Sequence, residues 1–207
     1  MYAKDSKELL PQLDRAGAGI SPSRRWMGKY ILFPSLRRCL TWDRTWMLYE
    51  KEGEKILQLA NSLNRDELFE RVLVPPLFGL EDNSRYYSVA MVLMHLLIVG
   101  EALVRRIPPL SRGIRPDDQV KIEDVKPYTE IPDDIVEHFA RFMQSYRRRL
   151  EKNMGDIHID NTTPHPWFGE LNPKGWSTLA MVHQIVHRRQ IEAIVDRLHS
   201  KIQYCYR

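Results

Sequence analysis

Four stretches of the chain carry apolar residues at three- and four-residue steps, and this spacing sets what it can fold into. From Thr41 to Leu63 the stripe is Trp46, Tyr49, Gly53, Ile56, Leu57, Ala60 and Leu63, with Thr41 or Asp43 able to cap its start. From Ser84 to Arg106 it is Val89, Val92, Leu93, Leu96, Val99 and Leu103. Asn83 or Ser84 is the expected N-cap of that second segment, and Pro108-Pro109 its expected end. The third segment, Pro132 to Lys152, opens on a proline suited to a first helical position. Asp133 and Asp134 follow in its first turn, and Arg147 to Arg149 lie near its end. The fourth, Pro173 to Ile202, carries Trp176, Leu179, Ala180, Ile185, Val186, Ile191, Ile194, Val195 and Leu198. Strand signal is confined to short stretches such as Val120–Ile122.

Four amphipathic helices imply an all-α four-helix bundle. The proline- and charge-rich segment between the second and third is long enough to serve as a crossover or a functional lid. A chain of 207 residues with 43% hydrophobic and 28% charged residues can bury one good core. The expected organisation is an irregular basic N-terminal arm, residues 1–40, packing on a bundle of residues 41–207. In the arm Lys4, Lys7, Arg15, Arg24, Arg25, Lys29, Arg37 and Arg38 outnumber Asp5, Glu8 and Asp14. Trp26, Tyr30, Ile31, Leu32 and Phe33 favour docking over free disorder.

The net charge of +4 is well short of a dedicated nucleic-acid binder. The longest apolar run, Val89 to Val99, is interrupted by His95 and is too short to span a membrane. The charged N-terminus does not read as a secretory leader. Cys39 and Cys205 make no disulfide framework, so a reducing cytoplasm is expected.

The fourth segment contains HQIVHRRQ, from His183 to Gln190. Residues four apart share one helix face, so His183 and His187 can converge on one ion without bending the backbone. Their neighbours on that face, Ala180, Ile191 and Ile194, are apolar. Buried imidazoles need partners, and two alone hold a divalent ion weakly. His95, mid-helix beside Val92, Val99 and Ala102, is the expected third ligand. Three histidines would leave a position open for water, as in a catalytic site.

The segment HPWFGELNPKGW followed by HQIVHRRQ resembles the DinB-like superfamily of metal-binding four-helix bundles. The matching residues are His165, Pro166, Phe168, Gly169, Pro173, Trp176, His183, His187 and Arg189-Gln190. The strong part runs from about Pro164 to Ile194. The N-terminal arm and the connection from Pro108 to Pro132 lie outside it. The resemblance implies a metal triad of one histidine on the second helix and two on the last, matched here by His95, His183 and His187. It also implies a divalent metal, commonly zinc or nickel, and often a homodimer. Some relatives transfer low-molecular-weight thiols and others have hydrolase-like assignments.

The expected function is therefore metal-dependent activation of a thiol or water for transfer to, or hydrolysis of, a small-molecule substrate. Asp43 and Glu50 are candidates to orient the imidazoles, and His165 and Trp167 to line the mouth of the site. The alternative is a non-catalytic bundle whose basic arm contacts an acidic partner.

Overall fold

The computed structural model describes residues 11–17, 21–117 and 119–205, so the arm's Lys4, Asp5, Lys7 and Glu8 lie outside it. Helix α1 (Pro22–Met27) runs through a π-helical turn, Gly28–Leu32, into α2 (Phe33–Cys39). Then come α3 (Trp42–Asn61), the short α4 (Arg65–Phe69), α5 (Val89–Ser111), α6 (Ile135–Glu151) and α7 (Pro173–Cys205). Two small antiparallel ribbons interrupt them. β1 (Val72–Leu73) pairs with β2 (Tyr86–Tyr87), and β3 (Thr163–His165) with β4 (Gly169–Leu171). The architecture is an all-α four-helix bundle in which α3 and α5 each pack against both α6 and α7.

Helix starts follow local chemistry. Thr41 Oγ1 accepts the Arg44 N–H at 3.3 Å, and Ser88 Oγ the Met91 N–H at 3.2 Å. Pro173 opens α7, where Asn172 Oδ1 accepts the Gly175 N–H at 3.0 Å. The expected start of α5 at Ser84 is corrected to Val89. Asp82–Ser84 forms a single 3-10 turn, and Tyr86 and Tyr87 are taken up by the β1–β2 ribbon. Its expected end at Pro108-Pro109 is also corrected, because the helix continues to Ser111. A proline loses its own N–H but keeps its carbonyl. Pro109 accepts from the Ile114 N–H, and Leu110 from Gly113, whose φ of 81° closes the helix in a left-handed turn.

The described arm is irregular over residues 11–17 but helical over Pro22–Cys39. Pro22 suits a helix start, and the helix is held by its contacts with the rest of the chain. Buried Phe33 stacks on Phe168 with ring centroids 4.9 Å apart, and Arg37 donates to Asn172 Oδ1 at 2.9 Å.

The core has two halves. One contains Ile56, Leu93, Phe139, Ile191 and Ile194, and the other Trp46, Tyr49, Phe142, Tyr146 and Met181. Each fully buried large side chain stabilises the fold by about 1.5–3 kcal/mol relative to exposure. Ion pairs also tie the helices together. Arg188 on α7 pairs with buried Glu52 on α3, and Arg149 on α6 grips Glu101 on α5 with bonds of 2.5 and 2.7 Å. Leu93 and Leu96 belong to the first half, and Leu103 and Ile107 to the second. His95 enters the bundle from α5 between Leu93 and Leu96 of the first half. No helix among the described residues is long and apolar enough to cross a membrane.

Candidate metal centre

His95 on α5 and His183 and His187 on α7 come together inside the bundle. One ring nitrogen from each lies within 4.8 Å of the other two, a grouping that could hold a metal ion. Nε2 of His95 is 3.0 Å from Nε2 of His183. The ring centroids of His183 and His187 are 4.3 Å apart, one helical turn along α7. Zinc-bound nitrogens at about 2.0–2.1 Å from the ion would stand about 3.3 Å apart in tetrahedral geometry. The donor set therefore fits a small divalent ion.

The other ring nitrogens decide which lone pairs face inward. His95 Nδ1 is 2.6 Å from the Val125 carbonyl, which can only accept, so Nδ1 carries the proton and Nε2 is bare. Gln190 plays the same part for His187. Its Nε2 donates to the Ser84 carbonyl at 2.7 Å, which fixes the amide orientation. Its Oε1 then accepts from His187 Nδ1 at 2.7 Å. Carbonyl and amide oxygens thus orient two imidazoles with Nε2 toward the common point, a usual arrangement around bound metals.

Electrostatics keep the imidazoles neutral. Burial pulls His95 down to about 4, against the opposing hydrogen bond to Val125 and helped by the charge of Lys126. Burial, then the neighbouring imidazoles, holds His183 well below the ordinary histidine value. His187 is lowered by burial and then by His95, with the Gln190 hydrogen bond working the other way. Neutral imidazole is the form that ligates metal.

The three histidines line a cavity of about 490 Å³. Its apolar walls draw on several parts of the chain. Leu32, Phe33 and Leu36 come from the arm, Ile98 and Val99 from α5, Val120 and Ile122 from the long connection, and Leu179 and Val182 from α7. Gly79 is needed where it stands beside this cavity. Its φ is 85°, and a Cβ there would meet Val186 Cγ2 at 2.9 Å. The connection contributes the Val125 carbonyl and also Lys126, which pairs with buried Glu81 and donates to Ser84 Oγ at 3.2 Å.

His165 and Trp167 both line the cavity, on the β3–β4 hairpin. His165 Nδ1 accepts from the Trp167 N–H at 3.2 Å, and its ring packs 5.6 Å from Trp176. Asp43 and Glu50 do not orient the imidazoles, a correction to the expectation. Asp43 is exposed and Glu50 half-buried, and both lie where their charge acts on Arg147 of α6. Val125 and Gln190 take the role instead. His158 and His199 are exposed and do not line the cavity. His138 pairs with Asp134 at 3.1 Å on the surface of α6.

Gln190 could have been found in the sequence. It lies three residues after His187, within side-chain reach on a helix. The Val125 carbonyl carries no such signal, because any residue supplies one.

No protein-family model matches the sequence, and no curated protein matches it. Among solved structures the chain is similar to one described as TT2238, a four-helix bundle protein. The two are 22% identical over 74% of this chain and 98% of the other, with a TM-score of 0.49. The bundle assignment rests on the helix packing described above.

Proposed function

We propose that this chain is a metal-dependent enzyme of the DinB-like type, with zinc or nickel held by His95, His183 and His187 at the floor of the cavity. Its reaction is transfer of a thiol to, or hydrolysis of, a small-molecule substrate. The observation that carries this reading is the convergence of three neutral imidazoles, two in a fixed tautomer, on a cavity large enough for a substrate. The match of these same positions to the DinB-like triad supports it further.

When bound, the ion would lower the pKa of a water or of a low-molecular-weight thiol, making a nucleophile near neutral pH. The chain's own groups prepare the site. Val125 and Gln190 orient His95 and His187, so little reorganisation is left to the moment of binding. The apolar walls exclude water and strengthen electrostatic interactions within. In this reading the arm serves the bundle, residues 41–207, through Pro22–Cys39, which closes one side of the cavity. A cytoplasmic setting fits the exposed free thiol of Cys39.

The test uses zinc- and nickel-loaded protein beside His95→Ala. One assay follows transfer of cysteine to 1-chloro-2,4-dinitrobenzene, and another follows hydrolysis of an activated ester. Metal-dependent turnover in either assay, lost in the variant, is the expected result. Rates equal to those of the variant in both assays contradict the reading.

A further inference from the structure

The cavity is lined by chemically distinct groups. Three neutral imidazoles line it, two of them buried. Along its walls are apolar side chains, among them Phe33, Leu36, Val99, Val120, Phe168 and Leu179. Four exposed cationic residues also line it, and their exposure points to its mouth: Arg25 of α1, Arg105 of α5, Lys121 of the connection and Arg189 of α7. They come from four separate segments, so no single basic stretch explains their gathering. Among the described residues, Arg25, Lys121 and Arg189 form no ion pair with one another or with an acid. The described carboxylates lining the cavity are Glu81 and Asp124, and Glu81 is engaged by Lys126.

From this we infer that the cavity takes an amphipathic anion. Its apolar body lies along the walls, its anionic group meets the cationic mouth, and its other end reaches the histidines. Only the role of that last end rests on the metal reading. A wholly polar ligand would leave its hydrogen-bonding groups unsatisfied against these walls. A neutral apolar ligand would make no use of the mouth. Low-dielectric walls focus the field of the clustered cations and raise the local concentration of anions. The volume of about 490 Å³ suits a ligand of roughly drug size.

The experiment compares decanoate, decanol and decylamine, all below micelle-forming concentrations, by calorimetric titration of the full chain. It is run on zinc-loaded and on chelator-treated protein, with the native chain and a Lys121→Glu/Arg189→Glu double variant. In the chelator-treated native chain decanoate binds at least about tenfold more tightly than decanol, and decylamine binds most weakly, as the sign of the field requires. In the double variant the preference for decanoate collapses, while retained decanol affinity shows that the cavity is intact. Three results would each overturn the inference: equal affinity for decanoate and decanol in the native chain, no saturable decanoate binding, or an undiminished preference in the double variant. The two readings fail separately. A chain that holds no metal but prefers decanoate ends the metal reading and keeps this one. A metal-holding chain with no such preference does the reverse.

Discussion

Nε2 of His95 on α5 and Nε2 of His183 on α7 face each other at 3.0 Å, although the residues are 88 positions apart in the chain. Val125 fixes the His95 proton on the far side of the ring, so this contact needs a proton on His183 or a cation shared between the two. His187 brings a second bare Nε2 to the same place. With every ring neutral, one proton on His183 must serve two lone pairs. A divalent ion would accept both lone pairs at once.

Zinc or nickel should raise the melting temperature of the native chain, because a ligand that binds only the folded state stabilises it by mass action. At a hundredfold excess over Kd the gain is about 2.7 kcal/mol. His183→Ala should lower the melting temperature when metal is present and have little effect without it. Calorimetry of both proteins, with and without chelator, checks this. Equal destabilisation in both conditions would mean that His183 serves packing alone.

Gln190→Ala removes the acceptor for His187 Nδ1 and the donor to the Ser84 carbonyl. Loss of such an orienting partner typically weakens metal affinity by about 10–100-fold. Gln190→Glu keeps the acceptor and should retain more affinity than the alanine variant. Competition against a metal-sensitive dye measures both. Unchanged affinity in Gln190→Ala would show that the amide does not position the ligand.

His165 titrates low, at about 4, because burial and then the nearby Arg106 charge disfavour its protonated form. Its ordinary value is 6.5. Between these values the unfolded chain binds more protons at this site than the folded chain. The stability contribution is therefore fully present above about pH 6.5 and is lost as pH falls toward 4. The His165 ring signals followed by NMR should show a midpoint below 5, well under the ordinary histidine value of about 6.5. A midpoint near that ordinary value would place the ring in water.

Two helical glycines should respond differently to alanine. At Gly100 a Cβ would stand 2.3 Å from Phe142 Cζ and 2.6 Å from Cε1, against a rigid buried ring. Gly100→Ala should cost about 1–3 kcal/mol through overpacking, more than the helix propensity it gains. At Gly53 the nearest atom is the Met143 Cε at 2.2 Å, the end of a flexible side chain. Gly53→Ala should be near neutral, since the methionine can move and alanine favours the helix by about 1 kcal/mol. Chemical denaturation of both variants gives the ranking, and a milder effect at Gly100 than at Gly53 would contradict it.

What was legible in the sequence follows from periodicity. Stripes at helical spacing revealed the four long helices, and the four-residue step placed His183 and His187 on one face. An isolated histidine in an apolar stripe singled out His95. Features set by tertiary context were less legible. The two ribbons have only two or three residues per strand, too few to show alternation. Tyr86 and Tyr87 could as well have opened α5, and only pairing with Val72 and Leu73 decides otherwise. Pro108-Pro109 reads as a stop, but the Pro109 carbonyl helps form the turn that ends the helix two residues later. The arm has no long apolar stripe, and Phe33 anchors it to a hairpin more than a hundred residues away. Asp43 and Glu50 were plausible partners for imidazoles by charge alone. The groups that orient them are a backbone carbonyl and an amide.

The most direct measurement is elemental analysis of the purified, untagged protein beside a His95→Ala/His183→Ala/His187→Ala variant. The account predicts about one zinc, nickel or similar ion per native chain and none in the variant. A native chain that holds no metal, even after incubation with zinc, nickel or manganese, would contradict it.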